Sequence, residues 1–386
     1  MIPLARMLKY GYVRPVRKDI VKVGTVGNAV VLLMDNGNVY VRGQNSNGSL
    51  GVGVASSNIT GDWYLTTTNA TKMWTGSGNI LIYTNDGKWM STGNIQYLSG
   101  ASSGSNVWRD VTSYFAGLIP STILDLKLGN DTLFVLTTSG QIYSSGANTY
   151  GVQGRGNTTA VNGLTLAIST YGSYTWTAIG YENGTFYALR TDGQVWGSGR
   201  ADLGQCGATS STGVLSPRFL TANCTLLSAG TISGYVAKAD GVYSIGSQFW
   251  GQLGDGTVGS NTGAVGKTVF TNVYNPTNLT YITSAGYMTT LCANGELYST
   301  GALNRGSVGS TSQVGSFRLQ EQVPTFNPSK VKELYCIGST NAYLVDVNGD
   351  LYGTGTYSAT TDLLPGYTSN QLYYVALNMN GVDRGV

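Results

Sequence analysis

Hydrophobic and polar residues alternate over short stretches of this chain, and glycine residues bound each stretch. The segment 240–256, with the sequence DGVYSIGSQFWGQLGDG, contains every part of the arrangement. It begins with the turn dipeptide Asp240-Gly241, continues as an apolar stretch that closes at Gly246, and ends with a second glycine turn, Gly251–Gly254. Because successive side chains of a strand point to opposite faces, the alternation predicts a β-strand with one buried face.

This turn-plus-strand phrase occurs seven times along the chain. The turn glycines are Gly37, Gly87, Gly140, Gly193, Gly241, Gly295 and Gly349. The matching closing glycines are Gly43, Gly93, Gly146, Gly199, Gly246, Gly301 and Gly355. Successive turn glycines lie 48 to 54 residues apart, and such a period along a whole chain is typical of repeat architectures. The Asn-Gly or Asp-Gly dipeptide of most copies predicts a two-residue hairpin turn, which requires positive φ.

Each copy contains further strands around the phrase. One strand ends at an anchor glycine, as in LKLG at Gly129, and a second strand follows it, as in TLFVLT. The variable segment after the phrase supplies a fourth strand, for example Trp63–Thr67 or Gln371–Leu377. Such a unit buries its faces only against its neighbours. The predicted fold is all-β: a seven-bladed β-propeller with mostly four-stranded antiparallel blades over residues 20–386, preceded by a basic N-terminal arm, residues 1–19.

The seven phrases, with GQLGDG at 251–256 as the clearest copy, resemble the RCC1-type (regulator of chromosome condensation) repeat. The resemblance covers residues 20 to about 377 and implies a seven-bladed propeller. It also suggests nucleotide exchange on a small GTPase, the activity of the eukaryotic relatives. The family's repeats usually place a His after the first glycine anchor, whereas Thr231, Tyr287 and Ser339 stand there in this chain. The departure marks a distant member.

The loops that follow the seven closing glycines are predicted to carry recognition, because equivalent loops of repeated units emerge on one face. Phe249 and Trp250 are bulky residues inside one of these loops. Two interpretations are open for them: plugs packed between blades, or partner-binding side chains.

Positive charge is concentrated at the N-terminus. Residues 1–22 hold six Lys or Arg side chains and one Asp, a net charge of +5, whereas the whole chain carries +3 and the remainder therefore −2. The predicted partner-binding residues of the arm are Arg6, Lys9, Tyr10, Tyr12, Arg14, Arg17 and Lys18. The arm is interpreted either as a tether to the sheet edge of a neighbouring protein or as a strand that completes the last blade.

The chemistry of the chain argues against catalysis. There is no His, the four Cys residues lack close-spaced pairs, and most acidic residues occupy turns. We therefore predict no enzyme activity, no cofactor and no metal site. The ring has too little basic charge for nucleic-acid binding, and neither a signal peptide nor a membrane-inserting segment is evident.

The functional prediction is based on the amino-acid composition. The chain has 55 Gly and 26 Tyr but only 11% charged residues, a mixture that resembles viral tail and fibre proteins. The leading prediction is a non-catalytic structural and interaction module of a bacteriophage virion (neck, tail, fibre or decoration), assembled in the host cytoplasm and bound to other virion proteins in many copies. The alternatives are a propeller that binds a host receptor or glycan, and a loop-mediated inhibitor or GTPase exchange-type regulator.

Overall fold

The structure, a computed structural model, describes most of the chain. The described ranges are 18–55, 57–99, 104–129, 131–167, 174–259, 266–285, 288–294, 296–302, 314–319, 331–337, 341–358, 363–369 and 371–384. Within them, the strands form seven four-stranded sheets, and every neighbouring pair of strands is antiparallel. Each sheet is built from four consecutive strands, so one repeat of the sequence forms one blade.

Each blade takes its four strands in chain order. Blade one contains β1 Ile20–Thr25, β2 Ala29–Met34, β3 Val39–Gly43 and β4 Ile59–Thr67; blade two contains β5 Ala70–Thr75, β6 Asn79–Thr84, β7 Trp89–Gly93 and β8 Ser105–Asp110. Blade three contains β9 Ile123–Leu128, β10 Thr132–Thr137, β11 Ile142–Gly146 and β12 Val161–Leu166; blade four contains β13 Trp176–Glu182, β14 Thr185–Arg190, β15 Val195–Gly199 and β16 Val214–Thr221. Blade five contains β17 Cys224–Gly230, β18 Ser233–Lys238, β19 Gly241–Gly246 and β20 Lys267–Tyr274; blade six contains β21 Leu279–Ala285, β22 Met288–Ala293, β23 Glu296–Gly301 and β24 Val314–Leu319. Blade seven contains β25 Val331–Ile337, β26 Asn341–Asp346, β27 Leu351–Gly355 and β28 Gln371–Ala376. The helices are single turns at Ser46–Gly48, Gln96–Ser99, Thr112–Phe115, Pro120–Thr122 and Thr149–Gly151.

The first strand of each blade lies at the centre of the ring. Each first strand contacts the first strand of the next blade, and β1 contacts β25, which closes the circle. The fourth strand of each blade is the outer edge of its sheet. The predicted seven-bladed β-propeller with four-stranded antiparallel blades is confirmed.

The core lies between adjacent blades. Strand β2 is apolar at all six positions, AVVLLM, and every one of these side chains is buried. Its Val31 and Leu33 pack with Met73 and Ile82 of blade two. A strand that is apolar on both faces belongs inside a stack of sheets, and the burial of these faces drives the ring together.

The hairpin turns are longer than predicted in five blades. In blade one, Met34 N–H donates to Asn38 O (2.9 Å) and Gly37 N–H donates to Met34 O (3.0 Å), a pattern repeated in blades two, three, four and seven. The loop therefore has three residues and a bulge, and only its glycine takes positive φ (83° at Gly37). In blade five, Lys238 pairs directly with Gly241, so a two-residue turn connects these strands.

The closing glycines serve a common backbone purpose. At Gly199, φ is +101°, and an added Cβ would overlap the carbonyl oxygen of Gly184. The next residue, Arg200, donates its N–H to that same oxygen at 2.8 Å. The third strand therefore passes so close to the loop between the first two strands that no side chain fits at this position.

The C-terminal segment locks blade seven to blade one. Trp63 donates its indole N–H to Asn378 O (2.9 Å) and its backbone N–H to Asn380 O (2.9 Å). Lys18 N–H donates to Arg384 O at 2.8 Å. The four described strands of blade seven all come from the last 56 residues of the chain, 331–386, and residues 1–17 lie outside the described part.

Candidate functional site

The loops predicted to carry recognition do share one face. Every third strand runs in the same direction, so the segments after the closing glycines emerge together with the loops that join first and second strands. We call this side the long-loop face. The hairpins between second and third strands lie on the opposite side, the short-turn face. That recognition occurs on the long-loop face remains a prediction.

Two long loops are organised by the same asparagine scaffold. The Asn45 side chain accepts from Leu50 N–H (3.0 Å) and donates to Val54 O (2.8 Å). Asn148 does the same in blade three, with Gln153 N–H (2.8 Å) and Asn157 O (2.8 Å). A side chain that satisfies loop backbone groups holds the loop in one conformation.

Neither interpretation of Phe249 and Trp250 fits completely, because both side chains are half-buried. Their rings meet edge to face, 4.6 Å between centroids. In each described glycine turn, both residues between the two glycines are buried instead, and one of the two is apolar or Cys. These apolar or Cys residues are Leu50, Val152, Cys206 and Leu253. The complete burial of Cys206 raises the pKa of its thiol, so this residue stays a neutral thiol in an apolar surrounding.

Of the arm residues singled out in the sequence, Lys18 alone lies in the described part of the chain. Its ammonium group forms an ion pair with Asp383, next to the backbone bond between Lys18 and Arg384. The structure thus places Lys18 at the junction of the two chain ends. The predicted partner-binding residues Arg6, Lys9, Tyr10, Tyr12, Arg14 and Arg17 lie outside the described residues.

Two connected cavities lie along the axis. An axial cavity of about 540 Å³ is lined by the inner strands, including Lys22, Asp125 and Lys127. A second cavity of about 400 Å³ opens at the long-loop face between blades three and four, and we call it the mouth pocket. Both cavities are lined by Ser77, Tyr181, Glu182 and Thr231, so the two cavities meet at these residues.

A hairpin of blade four places Glu182 in the mouth pocket. Glu182 is the last residue of β13 and pairs with Thr185 across the dipeptide Asn183-Gly184. Both turn residues have positive φ, 43° and 81°, the signature of a type I′ turn. The tight turn extends β13 by two residues beyond the anchor Gly180, so the carboxyl group stands at the mouth of the axial cavity.

The mouth pocket is acidic with apolar walls. Asp131 and Glu182 are the charged residues among its described lining, and both act on the phenol of Tyr181, whose pKa is raised mainly by burial. Val152, Ala147 and Tyr150 supply apolar surface. Burial raises the pKa of Glu182 to about 7, and no described residue makes a hydrogen bond to its carboxyl group. A carboxyl that is largely removed from water and receives no hydrogen bond favours its neutral form.

The sequence contains a signal for this site outside the seven turn-plus-strand phrases. Two residues after the anchor glycine, adjacent copies three and four carry Asp131 and Glu182, whereas copies one and five carry Val26 and Ile232. Alignment of the seven copies on their anchor glycines therefore identifies two neighbouring acidic positions at one end of the inner strands.

An outer row of large apolar side chains recurs on the fourth strands. In four blades, the residue paired with the aromatic residue of the third strand is a Leu or Phe that is 42% to 50% exposed. The outer row consists of Leu65, Leu166, Phe219 and Leu319. These strands are sheet edges, and no other described strand pairs with their outer side. Exposed apolar residues on an unpaired edge favour association with another chain.

The described ranges contain neither a cluster of metal-binding side chains nor a helix that could span a membrane. No group of three or more His, Cys, Asp or Glu side chains comes together there. None of the helices in those ranges has the length and apolar character needed to span a bilayer.

Comparisons with known proteins identify the fold. No family model matches this sequence, and no curated protein matches it significantly. The structure of Prp20p from Saccharomyces cerevisiae matches with a TM-score of 0.74 and 16% identity, over 96% of this chain and 89% of Prp20p. A second structure of this yeast RCC1, with Kap60 bound, matches with a TM-score of 0.73 and 15% identity, over 96% and 86%. Human WBSCR16 matches with a TM-score of 0.69 and 17% identity, over 90% and 96%. At such identities the likeness concerns the fold alone, and this chain has the seven-bladed fold of the RCC1-like propellers.

Proposed function

We propose that this protein is a non-catalytic protein-binding propeller that attaches to its partner through the rim of the ring. The outer row is the observation that carries the proposal. A Leu or Phe recurs at one register position on four edge strands and stays about half exposed. Scattered exposed apolar residues are ordinary on protein surfaces, but recurrence at an equivalent position gives the rim a repeated apolar contact.

The charge and chemistry of the rim agree with a protein partner. In two of the four blades a cation adjoins the outer row: Arg218 precedes Phe219, and Arg318 precedes Leu319, and all four side chains are exposed. Arg combines planar hydrogen bonding with apolar surface and is enriched at protein interfaces. The unpaired backbone of an edge strand adds hydrogen-bonding groups for an incoming strand.

Site-specific photocross-linking tests this proposal. A benzoylphenylalanine in place of Phe219 is expected to capture one discrete partner when the protein is produced in its native host. The same group in place of Asp192, on the short-turn face of the same blade, is expected to capture none. Equal capture at both positions, or none at Phe219, would refute rim attachment.

A particle-borne assembly is the specific setting that composition supports. The mixture of 55 Gly, 26 Tyr and 11% charged residues favours a bacteriophage virion, with other virion proteins as partners in many copies. Mass spectrometry of purified particles tests this setting, which predicts a fixed copy number of the chain per particle. Recovery of the chain only outside particles would contradict it.

Two alternatives have their own support. Receptor or glycan binding is supported by the half-buried pair of Phe249 and Trp250 on the long-loop face, because aromatic rings offer flat apolar contacts. Regulation of a small GTPase is supported by the likeness in fold to Prp20p, a protein studied for its binding to Gsp1p and histones. Titration with a glycan library and a nucleotide-release assay separate these alternatives from rim attachment.

A further inference from the structure

The mouth pocket combines a carboxyl group without a partner with a cavity that opens to one face. It holds about 400 Å³, far more than one ion requires, and its walls combine Ala147, Val152 and Tyr150 with polar groups. No Lys or Arg is among its described lining residues. The pocket therefore suits a ligand that has an apolar stem and a positively charged end.

The carboxyl group of Glu182 lies where such a charged end would arrive. The residue lines both the mouth pocket and the axial cavity, so its carboxyl stands at the inner end of the pocket. Asp131 lies on the neighbouring blade, and its carboxylate accepts a hydrogen bond from the Thr132 hydroxyl at 3.3 Å. Two carboxyl groups on adjacent blades, both close to the Tyr181 phenol, make the inner end favourable for a cation.

An alkylammonium group matches the site better than a bare metal ion. Calcium takes six to eight oxygen ligands, and no group of three or more acidic, Cys or His side chains comes together among the described residues. A lysine side chain, by contrast, buries its four methylene groups along apolar walls while its ammonium group meets the carboxylates. The ring of Tyr181, where the two cavities meet, adds a surface that attracts cations.

We propose that the mouth pocket binds a single ammonium group, carried on a lysine side chain of a protein that docks on the long-loop face. This inference rests on the proposed function in that the partner is a protein, but it concerns a different surface from the rim. It assigns Glu182 and Asp131 as the residues that bind the cation.

The protonation of Glu182 gives this site a pH dependence. Its carboxyl has a pKa of about 7, so an arriving ammonium group binds strongly only after the proton leaves. Among the described lining residues, the other titratable groups are Asp131, Tyr150 and Tyr181 at the pocket, and Lys22, Asp125 and Lys127 in the axial cavity. Lys127 is paired with Asp125 at 3.1 Å. Binding should therefore strengthen about tenfold between pH 6 and pH 8, as Glu182 ionises.

The test uses the full chain and two small probes of equal shape. Nα-acetyl-lysine methylamide carries the ammonium group, and Nα-acetyl-2-aminoheptanoic acid methylamide replaces it with a methyl group. Calorimetric or NMR titration at pH 8 is expected to show at least tenfold tighter binding of the lysine probe. Glu182→Gln should remove that preference, whereas Asp86→Asn, which removes an exposed carboxylate from the short-turn face, should leave it unchanged.

A second variant places a lysine of the chain itself in the mouth pocket. Thr231→Lys places an ammonium group beside Glu182, because Thr231 lines both cavities, and it should abolish binding of the lysine probe. Equal affinity for the two probes, or full affinity in both variants, would overturn the proposal. Binding of n-butylamine without binding of the lysine probe would overturn the assignment to a protein. Cross-linking at Phe219 does not depend on Glu182. Failure of the lysine probe to bind would therefore refute the mouth-pocket proposal and leave rim attachment to be judged by cross-linking.

Discussion

Blades three and five have the same backbone but different chemistry at one position beside the axis. Asp131 and Ile232 both lie two residues after an anchor glycine. Their carbonyl oxygens accept equivalent hydrogen bonds, from Ala147 N–H at 2.8 Å and from Ser247 N–H at 2.9 Å. Ile232 is buried, whereas Asp131 lines the mouth pocket. The fold uses only the backbone carbonyl at this position. The side chain can therefore differ between blades and contribute to a binding site.

At the closing glycines, by contrast, the backbone leaves no room for a side chain. Replacing one of them should therefore cause the largest loss of stability. Gly199→Ala adds a Cβ that overlaps the Gly184 carbonyl oxygen at a φ of +101°. We expect a loss of about 4 kcal/mol of unfolding free energy, measured by chemical denaturation. Gly53→Ala is the control, since its φ is +83° but no atom lies within 4 Å of the added Cβ. A similar loss in both variants would mean that the positive φ, and not the contact with a neighbouring carbonyl oxygen, requires glycine at these positions.

Introducing a carboxyl group into blade five tests the comparison directly. Ile232→Glu removes a buried apolar side chain and adds a charge where blade three has Asp131. We expect it to destabilise the fold by about 3 kcal/mol at pH 8 and by less at pH 5, where the new carboxyl is protonated. Denaturation curves at the two pH values measure this difference. A pH-independent loss would show that the lost apolar packing explains the whole effect.

Removing the carboxyl group of Glu182 from blade four should instead stabilise the fold at high pH. The pKa of Glu182 is raised from its ordinary value of 4.5 to about 7, so the folded protein binds more protons than the unfolded chain between these pH values. Wild-type stability therefore falls as pH rises from about 4.5 to about 7. Glu182→Gln should abolish this fall and be about 2 kcal/mol more stable than wild type at pH 8.

The control for that experiment is the pH 4 measurement, where Glu182 is mostly neutral in both states and the variant should nearly match wild type. A variant that is equally stable at all pH values, with wild type also unchanged between pH 5 and pH 8, would contradict the raised pKa.

The outer row should contribute least to folding. Leu319 is 50% exposed on an edge strand, so Leu319→Ser is expected to change the unfolding free energy by no more than about 0.5 kcal/mol. Thermal denaturation measures this, with the buried Leu297 of the adjacent strand as the contrasting site: Leu297→Ser should cost several times more. A large loss from Leu319→Ser would assign the outer row to the fold and not to partner binding.

The repeat by itself determined the architecture of this protein. Seven phrases with one spacing predicted seven blades, because turn glycines and alternating apolar residues act locally, within one hairpin. The burial of Val39, Ile142, Val195 and Leu297 on one face of their strands was predictable for the same reason. The turn type was not: Asn36 keeps a negative φ and Gly37 alone takes the positive value, since the strand register adds a bulge that dipeptide composition does not reveal.

Only the tertiary structure decided which side chains meet around the axis. Asp131 and Glu182 are 51 residues apart in sequence, and the closed ring brings their blades together over one pocket. Burial in that pocket, and not the residue type, raises the pKa of Glu182. Likewise, the completely buried apolar side chain of this loop is Leu253, between the two glycines of the turn, whereas the larger Trp250 nearby is half-buried. Local patterns specify strands and turns, whereas a site between blades depends on how the ring closes.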